Sequence, residues 1–205
     1  MKIDPLNILL NENYKFDKNF YLVSGNEATL MQKIVSKISK GFKNSEIVKI
    51  EDVKNLDFMS ASLGLFGERK IYLCTSNRNI TKDVLEKLKL SNINIIFEIL
   101  NSQQLKKFKS LLLKRNDSLI IDCYELDKQS KIKLLNNFLN HNNISLDQEA
   151  YWLLVDNTDD RYIFFENELE KLKQICENKI NADYIKKIIT INTFKKEKLF
   201  FDLLK

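Results

Sequence analysis

Apolar positions along this chain change rhythm repeatedly. Asn19-Phe-Tyr-Leu-Val-Ser24 is a short apolar run that ends in Gly25-Asn26, after which Leu30, Ile34, Val35 and Ile38 recur at helical spacing from Ala28 to Lys40. That pattern predicts a strand, a turn and a helix. The same alternation predicts further strands near 46–50 and at 70–74, 93–100 and 118–122, with helices near 53–62, 82–90 and 105–113 between them. Strands separated by helices favour a parallel sheet covered on both faces, because a parallel neighbour needs a crossover connection. Residues 1–124 therefore read as α/β.

Beyond Cys123 the strands stop. A helix is predicted over 126–140, and a second follows in which Leu146, Ala150, Leu153 and Leu154 keep helical spacing. Ser145 with Gln148 three residues on has the form of a capping box for that second helix. Helices at 160–176 and 182–189 complete a small helical domain over 125–192. From Phe194 a new amphipathic segment begins, with Leu199, Phe200, Leu203 and Leu204 on neighbouring turns, so 193–205 is expected to open a further domain.

Composition narrows the class. In 205 residues, 44% apolar and 30% charged, there is material for a substantial core in one domain or two small ones. No apolar run approaches the roughly 20 residues that span a bilayer, and the first residues lack the basic-then-apolar order of a signal peptide. A cytoplasmic protein with no membrane partner is expected. Cys74, Cys123 and Cys176 are scattered without a CxxC pair and His141 is the single histidine, which excludes a disulfide framework and a zinc site. The net charge of +5, without a basic tail, suits an ordinary solvated surface and is compatible with nucleic acid nearby.

The first strand–turn–helix occupies the place of a phosphate-binding loop, where amides at a helix N-terminus favour anions. The chemistry requires G-x-x-x-x-G-K-[ST], for close approach, phosphate charge and magnesium. Counted from Gly25, the required Gly, Lys and Ser/Thr are Leu30, Met31 and Gln32, and Lys33 comes two positions late. Asp122 closes the last apolar strand alone and Glu98 lies inside its strand, so a carboxylate pair to hold magnesium is missing as well. Gly25, Asn26 and Glu27 thus form a degenerate phosphate loop, with no ATP and no other cofactor expected. No catalytic set emerges elsewhere: His141 sits near a helix end, and Asp159-Asp160 and Glu168/Glu170 read as helix-start and solvated-face residues.

A second turn stands out in Met59-Ser-Ala-Ser-Leu-Gly-Leu-Phe-Gly-Glu-Arg-Lys70. Two of the chain's four glycines, Gly64 and Gly67, flank Leu65-Phe66 between a predicted helix and strand. The residues alone allow an outward-facing apolar pair or a plug folded back under the sheet.

Four runs resemble one family: Tyr21-Leu-Val-Ser-Gly-Asn-Glu27, Ser62-Leu-Gly-Leu-Phe-Gly-Glu-Arg-Lys70, Leu146-Asp-Gln-Glu-Ala150 and Asn167-Glu-Leu-Glu-Lys-Leu172. Over essentially its whole length the chain is similar to the delta subunit of the bacterial DNA polymerase III clamp loader. The resemblance implies an AAA+-like parallel sheet flanked by helices that has lost ATP binding. A helical lid and a collar domain beginning near Phe194, of which only the first residues are present, would follow.

It also implies the partners: the ring-shaped sliding clamp (the beta subunit), the gamma/tau and delta prime subunits through the collar, and primer–template DNA in the assembled loader. The clamp-binding pair would be Leu65 and Phe66, with Phe58, Met59 and Leu63 as secondary contacts. Gly64 stands where the family usually has Ser. Such a subunit opens the clamp for loading and is no enzyme by itself, although the holoenzyme it serves has DNA-directed DNA polymerase activity. The rival functions are an active AAA+ ATPase and a nucleic-acid-binding module using Lys106, Lys107, Lys109, Lys114 and Arg115.

Overall fold

The computed structural model describes residues 1–42, 45–56, 69–76, 78, 80–100, 105–175 and 179–188. The chain divides into two compact units, Met1–Tyr124 and Glu125–Lys205. In the first unit the elements run β1 (Lys2–Ile3), α1 (Pro5–Leu9), β2 (Phe20–Gly25), α2 (Ala28–Gly41) and β3 (Ser45–Ile50). They continue with β4 (Arg69–Cys74), α3 (Lys82–Leu90), β5 (Asn94–Leu100), α4 (Leu105–Leu113) and β6 (Ser118–Cys123). The six strands form one sheet in the order β1-β6-β2-β5-β4-β3, and every pairing is parallel.

Residue choice explains the order. Every residue of β2 is buried, as an unbroken apolar run should be in a strand that lies inside a parallel sheet. It is held between β5 and β6, with Leu22 opposite Phe97 on one side and Ile120 on the other. β3 mixes polar and apolar residues, has none fully buried and sits at the edge, where its Ile47 is partly exposed. Successive side chains of β2 point to opposite faces. Phe20 and Leu22 join a cluster with Leu85 and Leu88 of α3 and Phe108 and Leu112 of α4. The Phe97 and Phe108 rings meet edge to face at 4.9 Å. Tyr21 and Val23 take the other face, which α2 covers with the buried stripe Leu30, Met31, Ile34, Val35 and Ile38.

The second unit comprises α5 (Lys128–Asn142), β7 (Ser145–Leu146), α6 (Gln148–Asn157), α7 (Tyr162–Leu172), β8 (Lys179–Ile180) and α8 (Ala182–Ile188). Leu135, Leu154, Phe165, Leu172 and Ile185 form its buried interior. Lys131 is buried with them, its ammonium 2.6 Å from Asp160 and donating to the Thr158 carbonyl at 2.7 Å. Among the described residues no helix is long and apolar enough to cross a membrane.

The α/β sheet and the helices after it follow the sequence expectation, with several local corrections. Val53–Asn55 is a single 3₁₀ turn and not the start of a helix over 53–62: Leu56 is extended, at φ −82° and ψ 119°, which stops the helix there. The remainder of that range, from 57 on, lies outside the described residues. Ser145 is no cap. In β7 it pairs with Lys179 of β8, and Asp147 caps α6 by accepting from the Ala150 amide at 2.7 Å. The helix expected over 160–176 covers only Tyr162–Leu172, and the one expected over 126–140 is shifted to Lys128–Asn142, ending on Asn143 in the left-handed region. The segment expected to open a further domain, 193–205, lies outside the described residues.

Phe97 is fully buried at the centre of the sheet, so Phe97→Ala is expected to cost about 3–5 kcal/mol, read as a lowered urea midpoint with an unchanged slope.

Candidate functional site

In open α/β sheets ligands bind beyond the carboxyl ends of strands, where neighbouring connections diverge. Here that place is the turn after β2. Gly25 lies level with Leu100 of β5 and Cys123 of β6. A Cβ built on Gly25 would stand 1.7 Å from the Cys123 carbonyl oxygen, so no other residue fits without moving the strand. The close approach has a purpose. The next two amides, of Asn26 and Glu27, both donate to that same oxygen at 3.1 and 3.3 Å.

In a phosphate loop such amides converge on the anion. In this turn they converge on the protein's own backbone. Glu27 then caps α2: its carboxylate accepts from the Leu30 amide and, at 2.8 Å, from the Thr29 hydroxyl. Only 3% of Glu27 is exposed. A fixed negative charge therefore occupies the positive end of the helix, and an incoming phosphate would meet like charge in a poorly solvated place. Leu30 and Met31, at the positions that need Gly and Lys, are both buried in the core under α2.

The carboxylate at the end of β6 is engaged too. Asp122 receives the Ser24 hydroxyl at 2.9 Å, the Lys109 ammonium at 2.6 Å and the Lys2 ammonium at 3.0 Å. These contacts tie together β2, β6, α4 and β1. Burial alone would raise the Asp122 pKa, but the bonds from Lys109, Lys2 and Ser24 outweigh it and hold the carboxyl below the ordinary range. Glu98 on β5 is half-buried, and burial raises its pKa against the pull of Lys49. The Cys123 thiol is pushed up to about 12, first by burial and then by the charges of Asp122, Glu27 and Glu98, so it is no nucleophile. Burial raises Cys74 likewise, and Cys176 lies outside the described residues.

The remaining titratable groups are also accounted for. His141 is exposed in the last turn of α5. Asp159 pairs with Arg161 at 2.7 Å and Asp160 with Lys131. Glu170 pairs with Lys173, but Glu168, expected on a solvated face, is buried and pairs with Lys171 at 2.8 Å. Among the described residues no group of three His, Cys, Asp or Glu is placed to hold a metal ion. Of the basic residues considered for nucleic acid, Lys109 is committed to Asp122, and Arg115 is committed to Glu86 and Asp117 at 2.7 Å each. Lys106, Lys107 and Lys114 are exposed.

The structure thus brings Gly25, Asn26 and Glu27 together with Ser24, Asp122 and the Cys123 carbonyl. Leu65 and Phe66, and with them Phe58, Met59 and Leu63, lie outside the described residues. The roles of the Cys123 carbonyl, Lys2 and Lys109 were not read from sequence, since each is set by a partner far along the chain.

No protein-family model and no curated protein matches this chain. Solved structures do. The Bacillus subtilis DNA clamp loader delta protein (YqeN) superposes over 98% of this chain and 71% of its own, with a TM-score of 0.62 and 16% identity. The chain shares the fold of that clamp loader delta protein. Looser likenesses run to the Thermotoga maritima RuvB Holliday junction branch migration motor, at TM-score 0.46 and 11% identity over 83% of this chain and 60% of that one. Domain III of the Thermotoga maritima replication initiation protein DnaA follows at TM-score 0.43 and 15% identity, covering 91% of each chain. At 16% identity the delta protein shares the backbone plan with few of the residues, so the local chemistry of the turn has to be argued from this chain itself.

Three variants test that chemistry. Gly25→Ala is expected to destabilise the fold by more than about 3 kcal/mol, and Glu27→Ala by about 1–2 kcal/mol, both measured by thermal melting. Because the Asp122 pKa is depressed, the stability it contributes is present above the unfolded carboxylate value near ~3.9 and is lost as pH falls through the lower folded value. Asp122→Asn should therefore melt at a lower temperature near neutrality and lose less on acidification below that value than the unaltered chain does.

Proposed function

We propose that this chain is a clamp-loader delta-type subunit, which binds a ring-shaped sliding clamp and favours its opening for loading onto primed DNA without hydrolysing ATP itself. The observation that carries this reading is the fold shared with a clamp loader delta protein over 98% of the chain. The filled turn supports its non-catalytic half. With two loop amides spent on Cys123 and a carboxylate seated at the start of α2, ATP phosphates find neither donors nor room for their charge.

Leu65 and Phe66 are the proposed anchors, with Phe58, Met59 and Leu63 beside them in sequence. Burying one Leu and one Phe contributes about 1.5–3 kcal/mol each before ordering and association costs, which makes a hot spot and not a whole interface. The clamp is the direct partner. The gamma/tau and delta prime subunits would be neighbours in the loader, where they supply the ATP chemistry, and primer–template DNA would enter the assembled complex. A cytoplasmic location and a place in DNA replication belong to the same proposal.

Binding to the cognate sliding clamp, measured by surface plasmon resonance, is expected for the unaltered chain and to weaken by about a hundredfold or more in Leu65→Ala, Phe66→Ala. Equal binding by the two would overturn the assignment of the anchors. A calorimetric titration with ATP is expected to show no saturable heat, and micromolar affinity would restore the ATPase reading.

A further inference from the structure

A groove of about 700 Å³ opens between α3, α4 and the loops that lead into β2 and β6. Five cations and three carboxylates line it. Arg115 is held by Glu86 and Asp117, and Lys89 reaches Asp117 at 3.3 Å. Lys82 and Lys114 are exposed and have no acidic partner among the described residues. The last residues of α3 and α4, Leu90 and Leu113, are 85% and 53% exposed, each next in sequence to a lysine of the groove. The surface is thus net positive, and the two helices that border it end in exposed leucines.

Its place in the sheet gives the occupant. All six strands are parallel, so the loops entering β2, β5 and β6 share one edge of the sheet with the start of β4. β4 is next to β5 and two strands from β2, roughly 5 and 10 Å away in the hydrogen-bonding direction. The chain enters β4 at Arg69, three residues after Phe66 in sequence. We propose that the α3–α4 groove is a second contact for the same protein partner that takes Leu65 and Phe66, receiving an acidic stretch of that partner's surface. The inference rests on the reading of that pair as the partner's anchor. The exposed Leu90 and Leu113 favour a protein surface over a nucleic-acid backbone, which offers them no apolar partner.

Charge in such a position acts on the rate of encounter more than on residence time. Association of the chain with its cognate sliding clamp is to be measured across a salt series for the unaltered protein, Lys82→Glu/Lys114→Glu and Leu65→Ala/Phe66→Ala. Both lysines are exposed, so the charge reversal should leave the melting temperature unchanged. It is expected to slow association roughly tenfold at low salt, with the difference vanishing at high salt. Unchanged association at low salt, or a loss seen only in binding to primed DNA, would overturn the groove proposal while Leu65→Ala/Phe66→Ala still lost binding. If that apolar variant binds as the unaltered chain does, the anchor reading fails, and the groove proposal that rests on it fails with it. No clamp binding by any of the three would overturn both.

Discussion

One carbonyl oxygen organises the first unit. Cys123 O accepts from the amides of both Asn26 and Glu27, and this is possible only because Gly25 carries no side chain at the point of contact. The contact closes the end of β2 onto the end of β6 and sets where α2 begins. It also directs the Glu27 carboxylate under the first turn of that helix. The same few atoms that lock the sheet's centre therefore occupy the donors on which a nucleotide would depend. The packing of the sheet's centre and the engagement of the loop's donors are here two results of a single arrangement.

The fold was largely legible because its strands are long apolar runs and its helices carry clear stripes. α3 and α4 fall where periodicity puts them, since Leu85, Leu88, Phe108 and Leu112 all face one cluster. Periodicity has nothing to say about β1 and α1, which are too short to show it. It misplaced a helix at Val53 because apolar spacing does not register that Leu56 turns extended. At the start of α6 two residues of capping type compete. Asp147 prevails over Ser145 because the latter is drawn into a strand by Lys179.

The turn was half legible. The missing phosphate-loop residues at positions 30 to 32 can be read directly, but what fills the space instead cannot. The Cys123 carbonyl, Lys109 and Lys2 reach the turn and Asp122 through tertiary structure, and nothing in their local sequence marks them. Glu27 was legible only as part of the degenerate phosphate loop. Its burial, and with it the effect of its charge, depends on the packing of α2 against the sheet. The Leu65-Phe66 reading came from resemblance and stands or falls by binding.

The outer strand β1 pairs its Lys2 with Ile120 of β6, so the opening residues of the chain join the sheet through some of its last-made strand. During synthesis those residues leave the ribosome well before their partner exists. β2 waits in the same way for both of its neighbours, β5 and β6. A parallel sheet of this connectivity pays its loop-closure entropy before the pairing that rewards it, and folds slowly as a result. Until β5 and β6 are made, its short apolar segment Phe20–Val23 lacks both of its sheet neighbours. The central pairings of the sheet therefore form only once the chain has been made as far as residue 123.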